Sequence, residues 1–182
     1  MVTGNPKQTI IEWLSNPSES FAKAKRDLGN LAEVGTIHFL KSKTHRQLQL
    51  YAVQYESTSK QQWIEICCVE QDASGSWQVK SSLRTKKENR YMVTEEDRKR
   101  YLSQPWVKLS GSEGPGCFFL LGYIIDNDFN VTRVRLTTST GQVEEDEVQD
   151  GLVLFLINQP FPLPLEVELY NHSNALLGKQ TW

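Results

Sequence analysis

Two segments of this 182-residue chain are apolar at nearly every position, Phe118-Phe119-Leu120-Leu121 with Tyr123, Ile124 and Ile125, and Leu152-Val153-Leu154-Phe155-Leu156-Ile157. Neighbouring residues on a strand point to opposite faces, so each segment, read as a strand, is apolar on both sides. An antiparallel sheet with one face in water would alternate apolar and polar residues instead. Both faces therefore call for cover, because a lone chain rarely exposes so large an apolar patch. The cover expected is the N-terminal part of the chain docked against this module, or a second copy in a homo-oligomer.

The flanking sequence supplies the other strands. Val131 to Thr138, Gln142 to Val148, Leu165 to Asn171 and Leu176 to Trp182 join the two apolar segments in a series of six. Turn residues separate them: Asp126-Asn127-Asp128, Thr140-Gly141, Asp150-Gly151, the stretch Pro160 to Pro164, and His172-Ser173-Asn174. Short strands at this even spacing predict a β-sandwich. Alternation is clean where Val134 and Leu136 oppose Arg133 and Arg135, and where Val167 and Leu169 oppose Glu166 and Glu168. The outward charges are expected to pair across strands. The run Arg133-Val-Arg-Leu, then Thr140-Gly, an acidic strand, Asp150-Gly-Leu-Val-Leu-Phe and Glu166-Val-Glu-Leu-Tyr is similar to immunoglobulin-like accessory domains. It lacks the Cys-Trp-Cys core of antibody domains.

The first hundred residues read differently. Asn5-Pro6-Lys7-Gln8 and Asn16-Pro17-Ser18-Glu19 each place Asn at a helix N-cap, Pro at the first helical position and Gln or Glu three after the cap. The Asn oxygen takes an orphan N–H, and Pro has none to lose. These signals predict one helix to near Leu14 and a second to about Ala32, with Gly35 as its stop. A short strand at Ile37 to Leu40 is followed by a meander of Gln47 to Glu56, Gln62 to Glu70 and Trp77 to Leu83. Helices leading into a meander imply a helical layer on a curved sheet. That element order resembles cone-shaped α+β folds of the nuclear-transport-factor-2 or cystatin kind. Neither resemblance carries a function with it.

A small capped helix is expected from Glu95 to about Leu102, and Ser110-Gly-Ser-Glu-Gly-Pro-Gly116 reads as a linker. The fold class expected is mainly β (α+β), with N-terminal helices on an antiparallel meander followed by an immunoglobulin-like antiparallel sandwich. The boundaries are 1–104 for the first domain, 105–116 for the linker and 117–182 for the docked sandwich module.

Charge is uneven. Residues 1–100 hold 16 of 20 Lys and Arg against 12 of 22 Asp and Glu, a balance of +4; the remainder, 4 against 10, gives −6. Opposite balances suit modules that attract one another or different partners. The net charge of −2 points to neither nucleic acid nor membrane. The start, MVTGNPKQTIIEWL, lacks the pattern of a signal peptide, and three cysteines make no even disulfide framework. A cytoplasmic setting with reduced thiols is the expectation.

Candidate chemistry is sparse. Asp126 to Asn130 opens like a calcium loop, but Val131 and Thr137 stand where Gly and Glu are needed. Glu144-Glu145-Asp146-Glu147 reads as a charged edge strand. Cys67, Cys68 and Cys117 sit in apolar surroundings that suit a small hydrophobe better than a thiolate. Two sets of residues remain as sites. Tyr51, Tyr55, Trp63 and Trp77 would line a ligand pocket over the meander, unless they simply pack the helix–sheet core. Arg84, Lys86, Lys87 and Arg90 would face an anionic partner. No metal and no cofactor are expected. The function expected is that of a non-catalytic protein-interaction or assembly factor; the alternative is a small-ligand binder or enzyme using the cone-shaped pocket.

Overall fold

The computed structural model describes residues 4–16, 30–87, 94–96, 99, 103–125, 128–158 and 163–182. The fold is mainly β, with three antiparallel sheets among the described residues. The chain divides into two compact units, Met1–Asn89 and Arg90–Trp182.

The first unit opens with helix α1, Pro6–Ser15. Asn5 caps it as expected, its side-chain oxygen accepting the Lys7 N–H at 3.0 Å, with Pro6 in the first turn. A cap of this kind stabilises a helix by about 1 kcal/mol. Gln8 does not reach back to the cap; its amide donates to Glu12 at 3.1 Å. Most of the second expected helix falls at 17–29, outside the described residues. Its expected end does differ: Ala32 forms a β-bridge with Ser57, and Gly35 lies within a 3-10 turn, Val34–Thr36.

Four strands follow, β1 (His38–His45), β2 (Leu48–Glu56), β3 (Gln62–Gln71) and β4 (Trp77–Lys86), paired in chain order. The meander thus has one strand more than the sequence suggested, because the short candidate at Ile37 to Leu40 extends to His45. One face of the sheet carries Tyr51, Val53, Tyr55, Trp63, Cys67 and Val69, which form a core with Ile10 and Leu14 of α1. The opposite face carries Leu50, Ala52, Ile64, Ile66 and Cys68, all fully buried. This sheet is therefore also apolar on two sides.

In the second unit, the segment expected as a linker is a strand. β5 (Trp106–Gly114) pairs along its length with β6 (Cys117–Ile125), and β6 pairs with β9 (Leu152–Asn158). Pro115 followed by Gly116 at φ +65° is the signature of a tight turn between the two strands. Gly111 reads as flexible but is required by packing. A Cβ there would stand 2.6 Å from Leu120 Cδ2 and closer still to the Phe118 ring. Glycine in a strand often marks such a close approach.

The second sheet has the order β11-β10-β7-β8, from β7 (Arg133–Thr138), β8 (Val143–Glu147), β10 (Leu165–Tyr170) and β11 (Leu176–Thr181). Both sheets feed one core: Val107, Leu109, Leu120, Val153, Phe155 and Ile157 from the first meet Val134, Leu136, Leu165, Val167 and Leu169 from the second. The other face of β6 and β9 holds Phe119, Leu121, Tyr123, Leu152, Leu154 and Leu156, each at most 4% exposed. Two-sided apolarity in the sequence corresponds to burial on two sides. Asp150-Gly151, both at positive φ, forms the two-residue hairpin between β8 and β9 that this dipeptide favours.

The edges of the sheets are managed in two ways. Bulges displace Leu40 in β1, Lys80 in β4 and Leu177 in β11, and each of these is an outer strand. Bulges and lysines on edge strands discourage pairing with other chains. In the second unit, side chains close the gaps between sheets. The Gln180 amide donates to the Val107 carbonyl at 2.7 Å, and its oxygen accepts the Val107 N–H at 3.0 Å. Asp146 accepts the Leu154 N–H at 2.6 Å. Gln180 in β11 thus imitates a backbone peptide alongside β5, while Asp146 supplies an acceptor alone between β8 and β9.

The outward charges pair across strands, as expected, those of β7 with β8 and those of β10 with β11. Arg133 and Arg135 both bind Glu145 of β8, at 2.7 and 2.6 Å, while Glu166 and Glu168 bind Lys179 at 3.1 and 3.6 Å. The hydrogen bond from Arg135 is the main reason the Glu145 carboxyl is held below its ordinary value. A depressed pKa adds stability above the ordinary glutamate range that is lost as pH falls through the folded-state value. Glu145→Gln is therefore expected to be less stable than wild type at neutral pH and to converge with it in acid. Urea unfolding across pH checks this; a constant difference down to the acid limit would contradict it.

Candidate functional site

The two candidate sets derived from the sequence meet at one end of the first unit's sheet. The register places Trp63 between Tyr55 on β2 and Lys86 on β4, and sets Glu65 opposite Arg84. Side chains directly opposite in an antiparallel pair share a face, so Tyr55, Trp63, Glu65, Arg84 and Lys86 lie together. The Arg84 guanidinium carbon stands 4.5 Å from the Trp63 ring centroid, and the Lys86 ammonium 5.6 Å. Both lie within the range over which a cation is attracted to an indole face.

Two donors here lack an acceptor. Trp63 is 8% exposed, and its indole N–H is buried without a hydrogen-bond partner. Nη1 of Arg84 is in the same condition. A buried donor left unmatched costs about 1–3 kcal/mol, so each such group asks for an explanation. Glu65, 1% exposed, accepts the Tyr55 hydroxyl at 3.0 Å. The sequence reasoning passed over Glu65. The signal was a single carboxylate inside Trp63-Ile-Glu-Ile-Cys-Cys-Val69, where every neighbour is apolar.

Tyr51 lies farther along the same face, its hydroxyl donating to Gln49 at 2.6 Å and held above its ordinary pKa by burial. Trp77 is partly buried against the core that α1 covers. The four aromatics thus share one face, but Tyr51, Tyr55 and Trp63 are packed into that core with Ile10 and Leu14. Lys87 directly follows the end of β4, and Arg90 lies outside the described residues. Of the basic set, Arg84 and Lys86 converge on Trp63.

The other candidates have structural settings. Cys67, Cys68 and Cys117 are buried within strands. Among the described residues, no group of three or more His, Cys, Asp or Glu could hold a metal ion, and no helix is long and apolar enough to cross a membrane. β8 is an edge strand, and its Glu145 is engaged by Arg133 and Arg135. Of the turn that resembled a calcium loop, 126–127 lie outside the described residues, and Asp128 and Asn130 both have positive φ.

Comparison with known proteins gives no further constraint: no family model, curated relative or solved structure matches this chain.

Proposed function

We propose that this chain is a non-catalytic interaction or assembly factor that receives an anionic surface of a protein partner at the Trp63–Arg84–Lys86 end of its first unit. The observation that carries this reading is the stacked Arg84–Trp63 pair, in which each side chain holds a buried donor without an acceptor. On the Trp63 face, Arg84 and Lys86 set two cations beside the carboxylate of Glu65. Aromatic and arginine side chains in combination are enriched where proteins bind one another.

In this reading the second unit is an immunoglobulin-like sandwich that serves as a scaffold. Its seven strands among the described residues, three in one sheet and four in the other, support it. In order they are first, second and fifth, then seventh, sixth, third and fourth. That order resembles the seven-strand immunoglobulin arrangement with its fourth strand moved to the opposite sheet, which supports the reading.

The reading is tested with the full chain bearing Lys86→Glu and Lys87→Glu as bait. A partner that copurifies in stoichiometric amount with wild type is expected to be lost from the variant and recovered less well at high salt. Equal recovery on both chains would refute the placement of the interface.

A further inference from the structure

The kind of group the site accepts follows from its donors, on the reading just given. We propose that the Arg84–Trp63 pair is a receptor for a carboxylate, supplied by a glutamate or aspartate side chain of an acidic partner segment. An indole N–H only donates, and so does a guanidinium. Whatever satisfies both must therefore be an acceptor, and a charge-assisted bond to a carboxylate is about twice as strong as a neutral one. The Arg84 guanidinium carbon lies 4.5 Å from the Trp63 ring centroid, so the two donors belong to one stacked pair that a single carboxylate, with its two oxygens, could serve. The planar fork of arginine fits that geometry, whereas a lysine offers only a point charge. Lys86, on the same indole, adds attraction without direction. The local carboxylate, Glu65, already accepts the Tyr55 hydroxyl. Both donors are enclosed, so the entering carboxylate must displace apolar packing around Trp63, which favours a group carried on a peptide whose neighbouring residues cover the site.

The test uses the full chain labelled with nitrogen-15, with the Trp63 indole signal assigned by its loss in Trp63→Phe. Hexaglutamate peptide is expected to move that signal saturably, and hexaglutamine is expected to leave it in place. Arg84→Gln should weaken hexaglutamate binding about tenfold or more, as loss of one charge-assisted pair implies. Arg84→Lys, which keeps the charge and loses the fork, should weaken it as well; it serves if the Gln variant fails to fold. A Trp63 signal unmoved by hexaglutamate, or Arg84 variants that bind as wild type does, would overturn the proposal. So would a signal moved by inorganic phosphate and not by the peptide, since the site would then take a free anion. If the peptide fails here while a stoichiometric partner still depends on Lys86 and Lys87, only the carboxylate assignment falls and the interaction reading stands.

Discussion

Gln180→Leu is expected to lower the stability of the second unit by about 2–4 kcal/mol, since it strands a buried donor and a buried acceptor at once. The affected groups are the Val107 N–H and C=O, both met by the Gln180 amide. Val107 is fully buried and Gln180 is 7% exposed, so water cannot easily replace the lost partner. Gln180→Glu should also be destabilising, because a carboxylate can accept from the N–H but cannot donate to the C=O. Urea unfolding reads both effects, and hydrogen exchange at the Val107 amide locates them. A Leu variant within about 0.5 kcal/mol of wild type, the range of ordinary surface changes, would mean that the clasp contributes nothing.

Gly122→Ala is expected to cost about 1–3 kcal/mol by overpacking. Its new Cβ would lie 2.5 Å from Val153 Cγ2 and 2.8 Å from Val107 Cγ2. Both neighbours are β-branched and stiff about their first side-chain torsion, so neither can swing aside freely. Adding Val153→Ala should recover part of the loss, giving a coupling between the two sites that distant substitutions would not show. Strictly additive losses in urea unfolding would contradict the packing described.

Much of the fold was legible because local rules and packing agreed. The strands Gln62 to Glu70, Leu165 to Asn171 and Leu176 to Trp182 lie within a residue of their expected bounds, as alternation and turn residues pointed the same way. Asp150-Gly151 marked its hairpin for the same reason. Trp106–Gly114 was not legible, because its glycines carry two meanings. Gly111 has no side chain because Phe118 and Leu120 of the neighbouring strand occupy its space, a fact that no local rule contains. The charge pairs were legible in part: alternation fixed which face Arg133 and Arg135 take and that they pair across strands, while strand order decided that Glu145 would meet them. For the site, the sequence supplied its members as two separate sets, and only the β3–β4 register joins Trp63 to Arg84 and Lys86.

The account rests on the state of one indole N–H, and nuclear magnetic resonance of the unbound full chain reads it directly. The Trp63 indole proton should exchange slowly, since it is buried, and should resonate upfield of hydrogen-bonded indole protons, since it has no acceptor. It should also shift in Arg84→Gln, whose side chain no longer stacks a cation on the ring. A downfield, hydrogen-bonded Trp63 signal that ignores Arg84 would show the donor already satisfied, and the case for a receptor at this end of the sheet would be gone.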